Sequence, residues 1–490
     1  MRPTPVSPAC AVLLLCLLSL GCNGGSPFTS GGGSKVTTPP VPTPVTSPIT
    51  VSTGPTAPVS VMISDPAACK APNGPLSHVY ITVADVMAST NPDAPAGDSS
   101  FVDLTPGLSA APQQVDLMGK ADSRCFLAAL SVSKLVAAGS YQQIRIFLAP
   151  DSAASKVANN ACGASYANCV VRTDNSLYDL QLTAAAANGF EVPAARLADG
   201  GIGIDAGDTP TMDIDFDICS SILLTANGGY EFNPVVHAGL IPSTGSSISG
   251  TVVSSATGQP LAGGHIIVAL EQKDATTGID RILMRTAASS TGTFTLCPVP
   301  TGTYDLVAVG VDGANVSYSA GVETGIQSGQ LAGEIPLVPG SGEGTLQGWV
   351  TTQGGGLQLA GLPVAVQTDA LEQLPGTGST ITVPLLPTYS PYNAAMLTAS
   401  GSSCPAGADC AAYALQLPTS APNVVACSDQ TAQFKQQGDP TPDYAAETWA
   451  EVAGSGDTAD CAQPTMQGSS IALNPDQSAT AATLAFTQCE

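Results

Sequence analysis

The sequence predicts an all-β protein that consists of antiparallel β-sandwiches in tandem. Gly and Pro, 51 and 40 of the 490 residues, supply turn formers at the density that all-β chains use. Short segments such as residues 79–83 and 141–148 alternate apolar with other residues, which is typical of strands that bury one face. Because 490 residues exceed one ordinary domain, we expect several such units in succession.

Charge is sparse and strongly acidic. Lys and Arg number 14 against 38 Asp and Glu, which gives a formal net charge of −24. Nucleic-acid binding depends on basic side chains that replace the counterions of phosphate, so a nucleic-acid partner is excluded. The 43% of hydrophobic residues is enough to form a core, which argues against disorder of the whole chain.

The N-terminus, residues 1–22, reads as a signal peptide. Arg2 supplies a charged start, and residues 11–18 form an apolar stretch far shorter than the ~20 residues of a membrane-spanning helix. Ser19-Leu20-Gly21-Cys22 resembles the bacterial lipoprotein signal, which implies that Cys22 is lipidated and becomes the mature N-terminus. The alternative is an ordinary secretion signal with an incidental thiol. Asn23 stands where the inner-membrane retention signal has Asp, which favours the outer membrane.

Residues 23–58 are predicted to be a disordered linker. Gly and Ser dominate its first part, and Pro and Thr its second, with no periodic apolar face. Fully extended at ~3.1 Å per residue, it would reach on the order of 110 Å. We therefore expect an outer-membrane lipoprotein, periplasmic or surface-exposed, whose folded part lies well away from the membrane.

Cysteine usage agrees with export. Cys162 and Cys169 close one short loop and Cys404 and Cys410 another, so these are the candidate local disulfides. Zinc is the competing explanation for clustered cysteines, but the paired spacing that zinc sites use is absent. After the signal peptide and the lipid site, an odd number of cysteines is left. We expect Cys297 to be the free thiol, because its segment holds no other cysteine.

The first unit is predicted over residues 59–242. Its segments 64–67, 79–83, 115–118, 138–146, 215–217 and 227–235 occur in an order that resembles the bacterial lipoprotein domain of unknown function numbered 4382. The resemblance implies a secreted or surface domain and no known reaction.

The second unit is predicted over residues 247–338. Its segments 247–253, 258–268 and 292–308 are similar to the carboxypeptidase regulatory-like, transthyretin-like family, which implies a small prealbumin-type, Ig-like sandwich. Residues 258–263 read as a turn between strands, and residues 300–304 as a hairpin whose Tyr304 closes the core.

The third unit, residues 344–490, is predicted to be a divergent second copy of this transthyretin-like sandwich with insertions. Gly348 and Gly361 follow Gly250 and Gly263 at one common offset. The hairpin Gly and its Tyr are expected to be lost, because residues 420–423 stand in their place. Residues 428–490 have no evident counterpart in the second unit.

Asp213, Asp215 and Asp217 form the one notable acidic motif. A period of two places the three carboxylates on one face of a strand, ~7 Å apart, with Ile214 and Phe216 on the other. Such a row is a candidate wall of a calcium site, since Ca²⁺ binds several oxygen ligands. The alternative, which the acidic composition favours, is a solvated face that resists edge-to-edge aggregation.

Sequence signals of catalysis are few. His78, His237 and His265 lie in separate alternating segments, so a structural role is favoured over that of a general base or a ligand. The serine hydrolase, zinc protease and phosphate-loop motifs do not occur. We expect no enzyme and no cofactor; a hydrolase would require the histidines or the aspartates to converge in one cleft.

The sequence therefore favours a non-enzymatic lipoprotein of the cell envelope that acts in adhesion, binding or scaffolding through an envelope protein or a glycan. The alternative is carbohydrate binding by the sandwich units. Sugar sites use exposed aromatic rings, and the chain has two tryptophans, Trp349 and Trp449. We expect Trp349 to pack in the core of the third unit and Trp449, in a polar stretch, to be exposed.

Overall fold

The computed structural model describes residues 54–65, 75–182, 186, 188–224, 228–243, 246–261, 265–340, 342–352, 364–374, 377–384, 394–397, 409–427, 434–436, 441–452 and 465–486. The fold is all-β, as predicted, and the described residues from Pro55 onward belong to one compact unit. Cys22 and residues 23–53 of the predicted linker lie outside the described residues. The first strand begins at Thr56, so residues 56–58, which the sequence places in the linker, are strand.

The first unit forms two facing sheets. One has the strand order β15-β12-β1-β5, and the other β10-β7-β2-β8-β9-β14-β13, with β3 and β4 also paired to β2 and β11 paired to β6 nearby. Ile63, Ile144 and Phe216 are among the fully buried side chains of the shared core. The pair β1 and β12 is parallel, which an antiparallel sandwich does not predict. The elements are β1 Thr56–Ser64, β2 Leu76–Ser89, β3 Val102–Asp103, β4 Gln113–Asp116, β5 Ala128–Ala137, β6 Gly139–Tyr141, β7 Gln143–Leu148, β8 Cys169–Arg172, β9 Leu177–Leu182, β10 Phe190–Pro193, β11 Ile202–Ile204, β12 Thr211–Phe216, β13 Ile222–Leu224, β14 Tyr230–Phe232, β15 Val236–Ile241, the α-helix α1 Ile218–Ser221, and the 3-10 helices Asp151–Lys156, Ala194–Arg196 and Ala198–Gly200.

The second unit packs a three-stranded sheet, β19-β16-β22, against the sheet segment β21-β20-β17-β18. Its core includes Ile248, Leu306 and Tyr304. The Tyr304 hydroxyl donates to the carbonyl oxygens of Pro300 at 2.9 Å and Thr301 at 3.1 Å, which places this ring where the sequence predicts it. The strands are β16 Ile248–Ser254, β17 His265–Lys273, β18 Ile279–Ala287, β19 Thr293–Leu296, β20 Thr303–Val311, β21 Ser317–Gln327 and β22 Leu331–Leu337.

The third unit pairs its strands in the same pattern as the second. β23 is antiparallel to β27 and parallel to β33 and β34, as β16 is antiparallel to β19 and parallel to β22. Likewise β24 lies between β25 and β30, as β17 lies between β18 and β20. The strands are β23 Glu343–Thr352, β24 Val364–Gln373, β25 Thr380–Val383, β26 Ala394–Leu397, β27 Asp409–Pro418, β28 Asn423–Ala426, β29 Lys435–Gln436, β30 Asp443–Val452, β31 Thr465–Gln467, β32 Ile471–Ala472, β33 Ser478–Thr480 and β34 Leu484–Phe486.

One glycine–aromatic pair recurs in both units. Gly250 faces Phe294 across β16 and β19, and Gly348 faces Tyr413 across β23 and β27. A Cβ at Gly250 would lie 2.9 Å from the Phe294 ring, and one at Gly348 would lie 2.4 Å from the Tyr413 hydroxyl. The aromatic ring therefore occupies the space that only glycine leaves free at this strand position.

The buried hairpin tyrosine is also present in the third unit. Tyr444 is the second residue of β30, as Tyr304 is of β20, and it is 1% exposed. Its hydroxyl donates to the carbonyl oxygen of Pro418 at 2.9 Å. The prediction that this Tyr is lost was wrong, because the insertion before β30 displaces it along the sequence. β30, β31, β33 and β34 likewise supply the counterparts that residues 428–490 were predicted to lack.

The three units are joined by continuous pairing and by one disulfide. β18 pairs with β25 and β21 with β28, so one twelve-stranded sheet runs through the second and third units. Cys125 of the first unit and Cys297 of the second are bonded, with Cα atoms 5.7 Å apart. The prediction of a free thiol at Cys297 was therefore wrong. Its partner comes 172 residues earlier, in another unit, where no local spacing points to it.

Candidate functional site

The acidic strand β12 alternates as the sequence predicts. Ile214 and Phe216 belong to the core of the first unit, and Asp213 and Asp215 point to the opposite face. Asp217 follows the end of the strand and caps α1, where its carboxylate accepts a hydrogen bond from the Ser220 amide at 3.2 Å.

The face that carries Asp213 and Asp215 is buried. The two residues are 1% and 4% exposed, and the Ser64 hydroxyl lies 2.7 Å from Asp213 Oδ2 and 3.3 Å from Asp215 Oδ1. Burial raises the pKa of Asp213 to about 8 and, with the Asp213 and Asp217 charges, raises that of Asp215 well above its ordinary value. The predicted solvated face was wrong for these two side chains.

The second unit covers the neighbouring strand on this sheet. A Cβ at Gly239 of β15 would lie 2.6 Å from Pro300 Cβ, and the Thr301 amide donates to the Leu240 carbonyl at 2.8 Å. Sequence periodicity identifies the face of a strand but not what packs on it, so the burial could not be predicted from the motif.

Asp217 bonds the first unit to the second. Arg285 Nη2 on β18 lies 2.7 Å from Asp217 Oδ2, and both side chains are 10% exposed. Arg285 also donates to the Ser220 hydroxyl. Such a nearly buried pair makes removal of either partner costly, because the other charge then remains buried alone.

The described residues around Asp213, Asp215 and Asp217 do not form a set of calcium ligands. Within the described residues, no three His, Cys, Asp or Glu side chains are arranged to hold a metal ion. Asp213 and Asp215 instead share the Ser64 hydroxyl, while Asp217 binds Arg285. Calcium binding stays a prediction that the sequence alone makes.

A small cleft, which we call the junction cleft, lies where the three units meet. Its volume is about 50 Å³. Its polar and aromatic lining consists of Arg196, Asp217, Ser220 and His237 from the first unit, Arg281 and Arg285 from the second, and Gln367, Asp369, Thr382 and Trp449 from the third. Three of the seven arginines of this acidic chain therefore line one cleft.

His237 lies on β15 at the wall of the junction cleft. The residue is 8% exposed, and its Nδ1 atom has no hydrogen-bond partner among the described residues. Burial, together with the Arg196 and Arg285 charges, lowers the pKa of His237 to about 3, so the ring is neutral at pH 7. A neutral imidazole can donate a hydrogen bond from one ring nitrogen and accept one at the other.

Arg281 and Trp449 also line the junction cleft. Arg281 makes a two-pronged ion pair with Glu447, with Nη2 2.9 Å from Oε1, and its guanidinium lies 4.7 Å from the centroid of the Trp449 ring. This distance is within the range of a cation–π contact. Trp449 is half-buried on β30 beside Gln367 of β24, not fully exposed as predicted.

A second and wider cleft, which we call the outer cleft, adjoins the junction cleft. Its volume is about 480 Å³, and it shares Ala195, His237, Arg281 and Ile282 with the junction cleft. Its remaining polar side chains include those of Gln142, Asp199, Gln272, Lys273, Asp274 and Thr276.

One polar pair crosses the outer cleft between the first and second units. Gln272 Nε2 donates to Asp199 Oδ1, and the Asp199 amide donates to Gln272 Oε1, each at 3.0 Å.

The structure does not bring the three histidines together. His78, His237 and His265 lie on β2, β15 and β17, which belong to three different sheets. His78 Nδ1 is 2.7 Å from Asp116 Oδ2, and its ring stacks on Tyr80 with centroids 5.5 Å apart. His265 is exposed at the start of β17.

Trp349 lies outside the core of the third unit. It occupies β23 between the buried residues Gly348 and Val350, points to the other face and is half-buried. The prediction of core packing was therefore wrong for this ring.

The short-loop cysteines of the first unit behave as predicted: Cys162 and Cys169 are bonded, with Cα atoms 5.6 Å apart. Cys410 is also in a disulfide. Its predicted partner, Cys404, lies outside the described residues, as does the predicted lipidation site Cys22. Over the part of the chain that the structure describes, no helix has the length and hydropathy of a membrane span.

Comparison with known proteins gives a family match within the first unit. Residues 56–234 match the family DUF4382, a domain of unknown function. This match confirms the resemblance stated for residues 59–242 and covers most of the first unit, including β12 and α1. No curated protein matches the chain.

Solved structures show only remote likeness. The minor pilin GBS52 of Streptococcus agalactiae is 12% identical, with 50% of this chain and 96% of that chain covered and a TM-score of 0.16. The shaft pilin SpaA of Lactobacillus rhamnosus GG is 13% identical, with 59% and 99% covered and a TM-score of 0.17. A DUF3823 family protein of Bacteroides uniformis is 9% identical, with 47% and 99% covered and a TM-score of 0.15. These sequence identities and TM-scores are too low to assign a function.

The arginines of the junction cleft are the site residues that sequence reasoning missed. Arg196 ends a 3-10 helix of the first unit, whereas Arg281 and Arg285 lie on β18 of the second, and no motif joins the two elements. The available signal was compositional, since arginines are rare in a chain of net charge −24. Composition alone does not indicate that they converge.

Proposed function

We propose that the protein is a non-enzymatic, envelope-anchored lipoprotein that acts in adhesion, binding or scaffolding. The observation that carries this proposal is the disulfide between Cys125 and Cys297, which closes a long loop and joins two units. Structural disulfides persist in oxidising compartments outside the cytoplasm. The predicted signal peptide, the predicted lipid site at Cys22 and the linker after it fit the same location.

The anchor is tested by labelling cells with radioactive palmitate and separating membrane from soluble fractions. We expect the wild-type protein to be labelled and membrane-bound, and the Cys22→Ala variant to lose the label. Cys16→Ala, in the apolar part of the signal peptide, is the matched control and should keep it. Label that persists in Cys22→Ala would refute the lipoprotein assignment.

A second candidate function is carbohydrate binding at the mouth of the junction cleft, whose own volume of about 50 Å³ admits only a few atoms of a sugar. The observation in its favour is the half-buried Trp449 ring in a wall that also presents the Gln367 and Asp369 side chains. A ring bordered by amide and carboxylate groups is a usual composition for a sugar site, because rings contact the apolar face of the sugar and polar groups bind its hydroxyls.

Intrinsic tryptophan fluorescence tests this candidate, because the chain has only two tryptophans. A glycan that binds in the cleft should change the emission of the wild-type protein and of Trp349→Phe, and leave Trp449→Phe unchanged. No change with any glycan of a broad panel would eliminate the second candidate.

A further inference from the structure

We propose that two copies of the protein associate through β5, the edge strand of the four-stranded sheet in the first unit. The two β5 strands run antiparallel about a two-fold axis and join the two four-stranded sheets edge to edge. The proposal rests on the scaffolding role proposed above and names a second copy of this chain as the partner. Its test in solution does not depend on the lipid anchor.

β5 has a neighbouring strand on one side. The order of its sheet is β15-β12-β1-β5, so within the described part of the chain β5 pairs with β1 alone. Alternate residues of an edge strand direct their backbone N–H and C=O groups away from the sheet, and this row of groups is a template for another strand. Because β5 runs over ten residues, Ala128–Ala137, it can form several such hydrogen bonds.

The other long edges in the described residues are covered or blocked. β15, at the opposite edge of the same sheet, lies against Pro300 of the second unit. β22 contains Glu334 and Pro336, and β27 begins at Asp409 and ends at Pro418. Prolines and charged side chains hinder pairing at sheet edges. β5 contains no proline and no carboxylate, and it has a single charged residue.

Two large apolar side chains of β5 face solvent. Val132 is 71% exposed and Leu135 is 62% exposed. The register with β1 shifts between Ser131 and Lys134, where β5 has one residue more than β1. This bulge places Val132 and Leu135 on the same face of the sheet although they are three residues apart. The two side chains therefore form one apolar strip along the edge.

A second copy of the chain matches this edge better than an arbitrary strand does. A bulge hinders pairing with a regular strand, because the extra residue interrupts the ladder. An identical strand has the same extra residue at the same position. With the two-fold axis between Ser133 and Lys134, the two bulges coincide, and Val132 of each copy lies opposite Leu135 of the other. In this register Lys134 lies opposite a serine and not opposite another lysine.

The distribution of charge also favours self-association at this edge. Each copy has a formal net charge of −24, so two copies repel each other over most of their surfaces. Neither β1 nor β5 contains Asp or Glu, and Lys134 adds one positive charge. Two copies therefore approach each other here with little local repulsion. Salt screens the remaining repulsion between them and should strengthen the association.

The test is sedimentation equilibrium of the full-length protein over a range of micromolar concentrations, at low and at high NaCl. We expect a monomer–dimer equilibrium that shifts toward the dimer as the NaCl concentration rises. Leu135→Lys should weaken dimerisation at least tenfold, because burial of one leucine corresponds to roughly a tenfold change in affinity and the symmetric dimer loses two. Leu331→Lys, at a leucine that is 67% exposed on β22, makes the same change of charge and should leave dimerisation unchanged.

The outcomes separate the dimer from the anchor. Both substituted leucines are exposed, so the variants should fold, and circular dichroism checks this. A monomer at every protein and salt concentration would overturn the proposal, and so would a dimer that persists unchanged in folded Leu135→Lys. Either result would leave the lipid anchor to the palmitate labelling described above, which does not depend on association.

Discussion

Removal of the disulfide between Cys125 and Cys297 should strongly destabilise the protein. The bond closes a loop of 172 residues, whereas the one between Cys162 and Cys169 closes a loop of only 7. A disulfide lowers the entropy of the unfolded chain by an amount that grows with the logarithm of loop length. Over these separations the expected contributions are roughly 5 kcal/mol for the long loop and roughly 2 kcal/mol for the short one.

The measurement is urea unfolding followed by circular dichroism, on Cys125→Ser/Cys297→Ser and on the matched control Cys162→Ser/Cys169→Ser. We expect the first double variant to lose ~3 kcal/mol more stability than the second. Equal losses in the two variants would refute the reasoning from loop length. Quantitative thiol labelling of the unfolded wild-type protein, with no label at Cys297 before reduction, checks that the bond is present at the start.

Three further predictions concern the core of the third unit. Burial raises the pKa of Glu372 from 4.5 to about 8. The folded protein therefore holds this proton more tightly than the unfolded chain, and its stability should fall as the pH rises from 4.5 to 8. Glu372→Gln, which has no proton to lose, should be ~3 kcal/mol more stable than the wild-type protein at pH 7. Thermal melts from pH 5 to 9 check this, with exposed Glu334→Gln as the unchanged control. Gly348→Ala should destabilise by ~1–3 kcal/mol in urea, because its Cβ would lie 2.4 Å from the Tyr413 hydroxyl. No loss of stability would show that the Tyr413 ring moves aside without cost. Tyr444→Phe should lower the free energy of unfolding by ~1 kcal/mol in the same assay, because the buried hydrogen bond to the Pro418 carbonyl is lost. An unchanged free energy would show that this bond does not contribute to stability.

Sequence patterns predicted those parts of the fold for which the signal lies within one short segment. Alternation identified the strands that contain residues 79–83 and 141–148, and the common glycine offset identified β16 and β23 as equivalent. The same reasoning failed at Tyr444, the counterpart of Tyr304, because an insertion before β30 breaks the common offset between the two units. Pairing between strands does not depend on their distance along the sequence, so strand partners are preserved where sequence offsets are not.

The site was harder to predict than the fold because its residues come from three units. The alternation of Asp213 and Asp215 specifies one face of β12, and that part of the prediction was right. Whether water or protein lies against this face depends on where the second unit docks, which the pattern of β12 does not contain. The disulfide at Cys297 was missed for the same reason.

The docking of the units also explains why three arginines of an acidic chain converge at one cleft. Arg281 and Arg285 lie on one strand, β18, on either side of the register shift that separates Ile282 from Met284. Each is directed to a different neighbour, Arg285 to Asp217 of the first unit and Arg281 to Glu447 of the third. These two ion pairs hold the guanidinium groups in place between the units, and both Nε atoms are buried without a hydrogen-bond partner among the described residues. Because each arginine bonds to a different neighbouring unit, β18 fixes the first and third units to the second at this cleft.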